Sequence, residues 1–210
     1  MVDLFARRLR LPTRAISMTD VLSPSQVRTF SDCEVRWFYE HLLGLPDPPT
    51  ATMALDYAIR AALITNFRYK FESKADIQTE GVVGLFRRAW TQQRTTAHFC
   101  EDEVPEVVGK TGEALVRIYM QEVAPRIRPA AVERPLRGVL SSVRIRAQID
   151  LMDDDGTIID VRTAQAAPAR VDPMQRFEWT TCSRLAEAPS GVVRSDILVT
   201  GSTPQLITKT

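Results

Sequence analysis

The sequence predicts one α/β domain with a mixed central β-sheet flanked by helices and a helical N-terminal half. Two observations predict this class. Apolar residues recur at helical spacing up to residue 123, and from residue 143 they alternate with polar residues as in a half-buried strand. The 210 residues suffice for one domain with a substantial core. We therefore expect a single domain over residues 21–210.

Four helices are predicted in the N-terminal half. The first begins at Ser23–Gln26, which has the pattern of a capping box with proline in the first turn, and it ends near Gly44. Its aromatic side chains are expected to join the core: Phe30, Trp37 and Phe38. The other three helices are predicted over residues 52–66, 81–96 and 107–123.

A hairpin is predicted in the C-terminal half. Residues 143–151 alternate apolar and polar side chains, Asp153–Gly156 has turn composition, and residues 157–162 form the returning strand. A helix near 172–185 and a strand near 192–200 follow. Helices first and then this mixture favour a sheet with helical cover.

Composition excludes several classes of protein. The formal net charge is only +1, so any nucleic acid contact has to come from a local patch. No apolar run reaches the ~20 residues that a membrane helix needs. The cysteines Cys33, Cys100 and Cys182 lack the spacing of a zinc site or disulfide framework, which is typical of reduced thiols in a cytoplasmic protein. We expect residues 1–20 to be a flexible extension, or Met18 to be the true start.

Two carboxylates are predicted to face each other across the hairpin. Asp150 closes the outgoing strand, Asp160 lies in the returning strand, and Arg162 follows two residues later on the same face. Carboxylates with waters and phosphate oxygens hold Mg²⁺ or Mn²⁺, and a nearby cation stabilises charge that develops in phosphodiester cleavage. The alternative is that both aspartates are ordinary strand-end residues beside a turn.

This order of residues resembles the RecB-type branch of the PD-(D/E)XK nuclease superfamily. Its core reads G-x-I-D, a hairpin and I-D-x-K-T, and the matching segments here are Ala147–Asp150 and Ile159–Thr163. Other stretches resemble the family's N-terminal helix, its closing L-G-L, the segment that delivers a glutamate, and the Q-x-x-x-Y helix: Ser23–Tyr39, Leu43–Leu45, Pro129–Glu133 and Gln175–Trp179. The resemblance implies a restriction-endonuclease-like core.

The resemblance implies site residues as well as a fold. Asp150, Asp160 and Glu133 would hold Mg²⁺ or Mn²⁺, and Gln175 and Arg162 would complete the catalytic set. Glu133 has the alternative of being a solvated strand residue, and Gln175 that of a helix cap. Cys33 matches the first ligand of the iron–sulfur cluster found in some members, but no C-terminal cysteine group follows, so we expect no cluster.

Two positions depart from the family pattern in chemically important ways. The second-helix motif G-x-x-x-H, which supplies a metal-binding histidine, is Asp56–Arg60 here, and arginine has no lone pair with which to bind a cation. The family's lysine is Arg162, which cannot lose its proton at any ordinary pH. Arg60 and Arg162 could instead each pair with one of the aspartates and fill the site without metal.

Three functional hypotheses follow from the resemblance and these departures. The leading one is a catalytically degenerate nuclease-like protein, related to RecB-type DNA exonucleases, that binds DNA or a protein partner within a DNA-processing system. The first alternative is an active, divergent Mg²⁺- or Mn²⁺-dependent DNA nuclease. The second is a structural subunit that uses no part of the old site.

Overall fold

The computed structural model describes residues 21–201 and 204–210. These residues form two compact units. The smaller unit contains residues 21–47 and 138–146, and the larger unit contains the other described residues. The predicted extension and the alternative start at Met18 lie outside the described residues, and the single domain over residues 21–210 stays a prediction.

The smaller unit begins with a short strand, β1 (Val21–Leu22), which pairs in parallel with the start of β3 (Val143–Asp153). Helix α1 (Pro24–Asp32) follows, and its capping box is confirmed. The Ser23 hydroxyl accepts from the Gln26 amide at 3.3 Å, and the Gln26 side chain accepts from the Ser23 amide at 2.9 Å. Two otherwise unsatisfied donors at the helix start are thereby paired.

The first predicted helix is interrupted, and its expected packing is wrong. Cys33 adopts an extended backbone, and its sulfur accepts from the Arg36 amide at 3.4 Å, so it ends α1 and caps a new helix. The new helix is α2 (Glu34–Trp37), and a π-helical turn over Phe38–Leu42 follows it. Phe30 and Phe38 are 47% and 40% exposed, so the prediction that they belong to the core is wrong.

The larger unit contains the other three predicted helices: α3 (Ala51–Ser73), α4 (Thr79–Gln93) and α5 (Pro105–Glu122). Helix α3 extends beyond its predicted end at residue 66, because the buried Phe67 continues the apolar stripe of its inner face. A Cβ on Gly112 would lie 2.3 Å from the Phe86 ring, so glycine allows α4 and α5 to pack closely.

The sheet of the larger unit is mixed, as predicted. The hairpin strands β3 and β4 (Ile158–Ala164) are antiparallel, and β2 (Pro129–Leu140) also pairs with β3. Strand β5 (Val193–Val199) runs parallel to β4 and is reached through helix α6 (Pro173–Ala186). A further strand that was not predicted, β6 (Gln205–Lys209), pairs antiparallel with β5.

Strand β4 has helical cover on both faces. Ile159 and Val161 belong to the main core with α3, α4 and α5, whereas Ile158 belongs to a second cluster with Cys182 and Ala186 of α6. Because side chains alternate along a strand, Asp160 and Arg162 face α6 with Ile158. The α/β class is therefore confirmed, and the sheet places charged residues beneath α6.

No helix among the described residues is both long enough and apolar enough to cross a membrane.

Candidate functional site

Helix α3 supplies two charged side chains to the site, one turn apart. Asp56 accepts hydrogen bonds from the Thr163 amide at 2.8 Å and the Thr163 hydroxyl at 3.0 Å, which fastens the helix to the end of β4. Arg60 lies four residues later on the same face. Its Nη2 donates to both oxygens of Asp150, at 2.5 and 2.6 Å. The prediction that Arg60 points toward the aspartates is confirmed.

Strand β4 supplies a second ion pair. The Nε of Arg162 donates to Oδ2 of Asp160 at 2.5 Å, and its Nη2 donates to Glu178 of α6 at 2.8 Å. The same oxygen of Asp160 accepts from the indole of Trp179 at 3.1 Å. Asp160 is therefore held between a strand neighbour and a helix packed over it.

The two aspartates lie on adjacent antiparallel strands, as predicted. Leu151 pairs with Ile159, so Asp150 and Asp160 each adjoin this pair in sequence. Burial raises the pKa of Asp150, the charges of Asp160 and Asp56 raise it further, and Arg60 only partly offsets these effects. The surroundings of Asp150 therefore destabilise its ionised form, and Arg60 reduces this destabilisation.

The other charged groups show the same balance between burial and pairing. Burial raises the pKa of Asp56, although the hydrogen bonds from Thr163 oppose the shift. Burial disfavours the charge on Arg162, but Asp160 and Glu178 outweigh it and raise the pKa of Arg162 above its usual value. Burial also raises the pKa of the Cys182 thiol to about 12, with Glu178 and Asp160 adding to the shift. Arg162 therefore stays charged, and Cys182 stays a neutral thiol.

We call the six charged side chains of this region the charged cluster: Asp56, Arg60, Asp150, Asp160, Arg162 and Glu178. Its four carboxylates and two guanidinium groups leave an excess of two negative charges when all are ionised. All four carboxylate side chains are mostly shielded from solvent.

The divalent ion that the resemblance implies does not fit these residues as they are arranged. A cation would meet a guanidinium group at each aspartate, because both oxygens of Asp150 accept from Arg60 and Oδ2 of Asp160 accepts from Arg162 and Trp179. Across residues 21–201 and 204–210, no three His, Cys, Asp or Glu side chains are grouped to hold an ion. The geometry instead gives a site that guanidinium groups fill.

Two predicted site residues have other surroundings. Glu133 lies in β2 with a left-handed backbone, and its carboxylate forms an ion pair with Arg68, two turns beyond Arg60 on α3. Gln175 lies half-buried in the first turn of α6. The residues of α6 that reach Asp160 and Arg162 are Glu178 and Trp179. The catalytic roles of Glu133 and Gln175 stay predictions.

Sequence reasoning assigned no role to Asp56, Thr163, Glu178 or Trp179, although each lies inside a quoted motif. Spacing could have identified two of them. Asp56 precedes Arg60 by four residues on one helix, and Glu178 follows Gln175 by three, so each lies on the face of a recognised position. The contact between Asp56 and Thr163 joins residues 107 positions apart, and no local pattern predicts it.

Comparisons with known proteins agree with this architecture. A solved structure from Eubacterium rectale, described as a candidate exonuclease, aligns with a TM-score of 0.52 at 13% identity, covering 96% of this chain and 79% of that one. The structure of SSO0001 aligns with a TM-score of 0.30 at 10% identity, covering 87% and 73%, which is too low to support a shared fold. A search of curated proteins finds no significant match.

The sequence itself provides the stronger comparison. The family model of the PD-(D/E)XK nuclease superfamily matches residues 21–178, more than half of the chain, and this range includes both aspartates and both arginines. The chain belongs to the PD-(D/E)XK nuclease superfamily.

Proposed function

We propose that this chain is a catalytically degenerate PD-(D/E)XK protein that acts by binding a partner within a DNA-processing system. One observation carries the proposal: Arg60 is paired with Asp150, and Arg162 is paired with Asp160. Two of the three side chains that the resemblance assigns to ion binding are thus each paired with an arginine of the same chain. A nuclease of this superfamily would need those carboxylates for its metal.

The chemistry of arginine supports the loss of cleavage. Arg60 stands where the family has a histidine ligand, and a guanidinium group repels a cation instead of binding it. Arg162 stands where the family has lysine, and it cannot accept a proton because a guanidinium group stays protonated at any ordinary pH. Asp160 and Glu178 raise the pKa of Arg162 further. Losing one transition-state contact costs about 3 kcal/mol, or about 10²-fold in rate. Two such losses would leave little activity.

Charge and exposure favour a protein as the partner. The charged cluster has an excess of two negative charges, which opposes binding of a polyanion there. Beside it on α3, Met53 and Tyr57 are 53% and 59% exposed, and their spacing puts them on the face of Arg60. Tyrosine, methionine and arginine are enriched at protein interfaces. We therefore place the partner surface on this face of α3.

DNA binding is the second candidate, and exposed arginines outside the charged cluster support it. Arg134 and Arg137 are exposed on β2, and Arg126 and Arg128 are exposed just before it. Arginines of this kind contact phosphates without reading sequence. Binding through these arginines would weaken steeply as salt concentration rises, because counterions are released from the DNA.

A cleavage assay tests the proposal directly. The full chain is incubated with single- and double-stranded DNA in Mg²⁺ and in Mn²⁺, beside an Asp160→Ala control. We expect no cleavage above the control, and we expect the pair Arg60→His with Arg162→Lys to restore some. Robust cleavage by the natural sequence that disappears in Asp160→Ala would overturn the proposal and establish the nuclease alternative.

A binding assay then separates the two partner classes. Labelled oligonucleotides are titrated at low and physiological salt against the natural chain and an Arg134→Ala, Arg137→Ala variant. Salt-sensitive binding that the variant loses would favour DNA. Without DNA binding, capture experiments with the natural chain and a Met53→Ser, Tyr57→Ser variant test the face of α3. Equal recovery of partners by both would contradict that surface and leave the structural role.

A further inference from the structure

The disagreement between the ion that the family implies and the residues present here has a specific geometric form. A single nitrogen of Arg60 lies between the two oxygens of Asp150, at 2.5 and 2.6 Å. A carboxylate that binds a divalent cation in bidentate fashion surrounds the ion in the same way. The Arg60 guanidinium therefore takes up the coordination capacity of Asp150.

The positive charge of Arg60 reduces the excess of negative charge in the charged cluster. Its carboxylates already exceed its guanidinium groups by two, and without Arg60 the excess would be three. Asp150 would then be a mostly buried carboxylate whose nearest charged neighbours, Asp160 and Asp56, are also acidic. Such a group either takes up a proton or attracts another cation.

The position of α3 against β4 does not depend on the Arg60 side chain. Asp56 is fastened to Thr163 by two hydrogen bonds, so the first turns of α3 are held to β4 independently of Arg60. Arg60 is itself incompletely satisfied, since its Nε is buried and finds no hydrogen-bond acceptor among the described residues. The guanidinium is thus held mainly by the charged contacts of its Nη2 with Asp150.

We infer that the Arg60 guanidinium is the built-in cation of this site, that it keeps divalent ions out, and that its removal opens a divalent-cation site at Asp150 and Asp160. The inference deepens the proposed function and rests on it, because it assumes that the natural chain works without metal. It concerns ion binding, however, and can be tested without any measurement of cleavage.

The experiment titrates Mn²⁺ into the full-length natural chain and an Arg60→Met variant, following the ion by its electron paramagnetic resonance. Methionine keeps much of the side-chain length and removes the charge. We expect the variant to bind one Mn²⁺ at least tenfold more tightly than the natural chain, and Asp150→Asn in the Arg60→Met background to abolish the gain. The matched control is Arg68→Met, which removes an exposed arginine paired with Glu133 on the same helix. It should bind no better than the natural chain.

Each outcome supports or overturns the inference. Tight Mn²⁺ binding by the natural chain would overturn it, whether or not that chain cleaves DNA. Equal gains in Arg60→Met and Arg68→Met would also overturn it, because the effect would then be one of net charge. If Arg60→Met does not fold alone, circular dichroism is measured with and without Mn²⁺. Folding rescued by the ion supports the inference, whereas a variant unfolded in both conditions contradicts it.

Discussion

Two neighbouring strands carry the same pair of charged residues in opposite order and use them differently. Strand β4 reads Asp160-Val161-Arg162, and strand β5 reads Arg194-Ser195-Asp196. Asp160 is in register with Ser195, and Val161 with Asp196, so the two ion pairs face opposite sides of the sheet. Both consist of an arginine donating to an aspartate two residues away, at 2.5 Å on β4 and 3.0 Å on β5.

The β5 pair is closed to solvent at its acidic end. Asp196 is fully buried and accepts from three donors, namely Arg194, the Tyr119 hydroxyl at 3.0 Å and the Thr208 hydroxyl at 2.9 Å. Burial, with the charge of Asp196, raises the pKa of Tyr119 well above its usual value, so the phenol stays a donor. This network joins α5, β5 and β6, and its role is structural.

The β4 pair remains partly open. Arg162 and Glu178 are both about a third exposed, and Arg60 beside them is 42% exposed. A polar group that keeps contact with water can exchange partners at much lower cost than a buried one. The same two residue types therefore form a sealed, structural pair on β5 and a partly solvent-exposed pair on β4.

The largest expected effect comes from breaking the sealed pair. Asp196→Ala leaves Arg194 without its carboxylate and removes the acceptor of Tyr119 and Thr208. We expect the free energy of unfolding to fall by about 3–5 kcal/mol, because one partner of a buried pair is left uncompensated. Urea unfolding followed by circular dichroism measures this loss.

Asp160→Ala is the matched change on the open side. Arg162 would keep Glu178 as a partner, so we expect a loss of about 1–2 kcal/mol. Equal losses in the two variants would mean that burial does not distinguish the two pairs, and the comparison would fail.

The expected effect of Arg60→Met on the free energy of unfolding is smaller than that of Asp196→Ala, and it depends on pH. Removing the charge in Arg60→Met raises the already elevated pKa of Asp150 further, since the group that lowered it is gone. An acid with a raised folded-state pKa favours the folded state while it is protonated, and this contribution is lost as pH rises through that pKa. The variant should therefore match the natural chain below about pH 4 and be less stable by about 1–2 kcal/mol above neutrality, a figure reduced for solvent screening.

Chemical denaturation at a series of pH values checks this profile. Arg60→Lys is the control, because it keeps a positive charge near Asp150 and should flatten the difference. A stability difference that stays constant across the range would show that Arg60 acts through packing of its aliphatic part.

The sequence predicted what depends on local pattern and missed what depends on burial. The capping box at Ser23 and the turn at Asp153–Gly156 follow from residue type and spacing, and the structure has both. The break at Cys33 was missed because the apolar period continues across it in Phe30 and Trp37. Those aromatics belong to the smaller unit, where no residue of α2 or the π-helical turn is buried. Helical periodicity in this segment was therefore not evidence of burial.

In the candidate site, too, local pattern predicted some residues, and tertiary packing determined the rest. Asp150, Asp160 and Arg162 could be predicted because they lie on one hairpin, where strand alternation fixes the side-chain directions. The surroundings of Glu133 could not be predicted, since its pairing with Arg68 depends on how α3 and β2 approach each other. The burial that distinguishes Asp196 from Asp160 is likewise a property of the packed helices and strands.

The smallest expected effect tests whether exposure alone separates two ion pairs on one helix. Arg68 lies on α3 eight residues after Arg60 and pairs with Glu133, but its side chain is 62% exposed against 42% for Arg60. An exposed pair gains little, because water and salt screen its charges and two long side chains lose freedom. We expect Arg68→Met to change the free energy of unfolding by about 0–1 kcal/mol. The measurement is the same chemical denaturation used for Arg60→Met, repeated in high salt, which should remove any remaining difference. A loss as large as that of Arg60→Met would instead indicate that Arg68 and Glu133 belong to the working site, as the resemblance implies for Glu133.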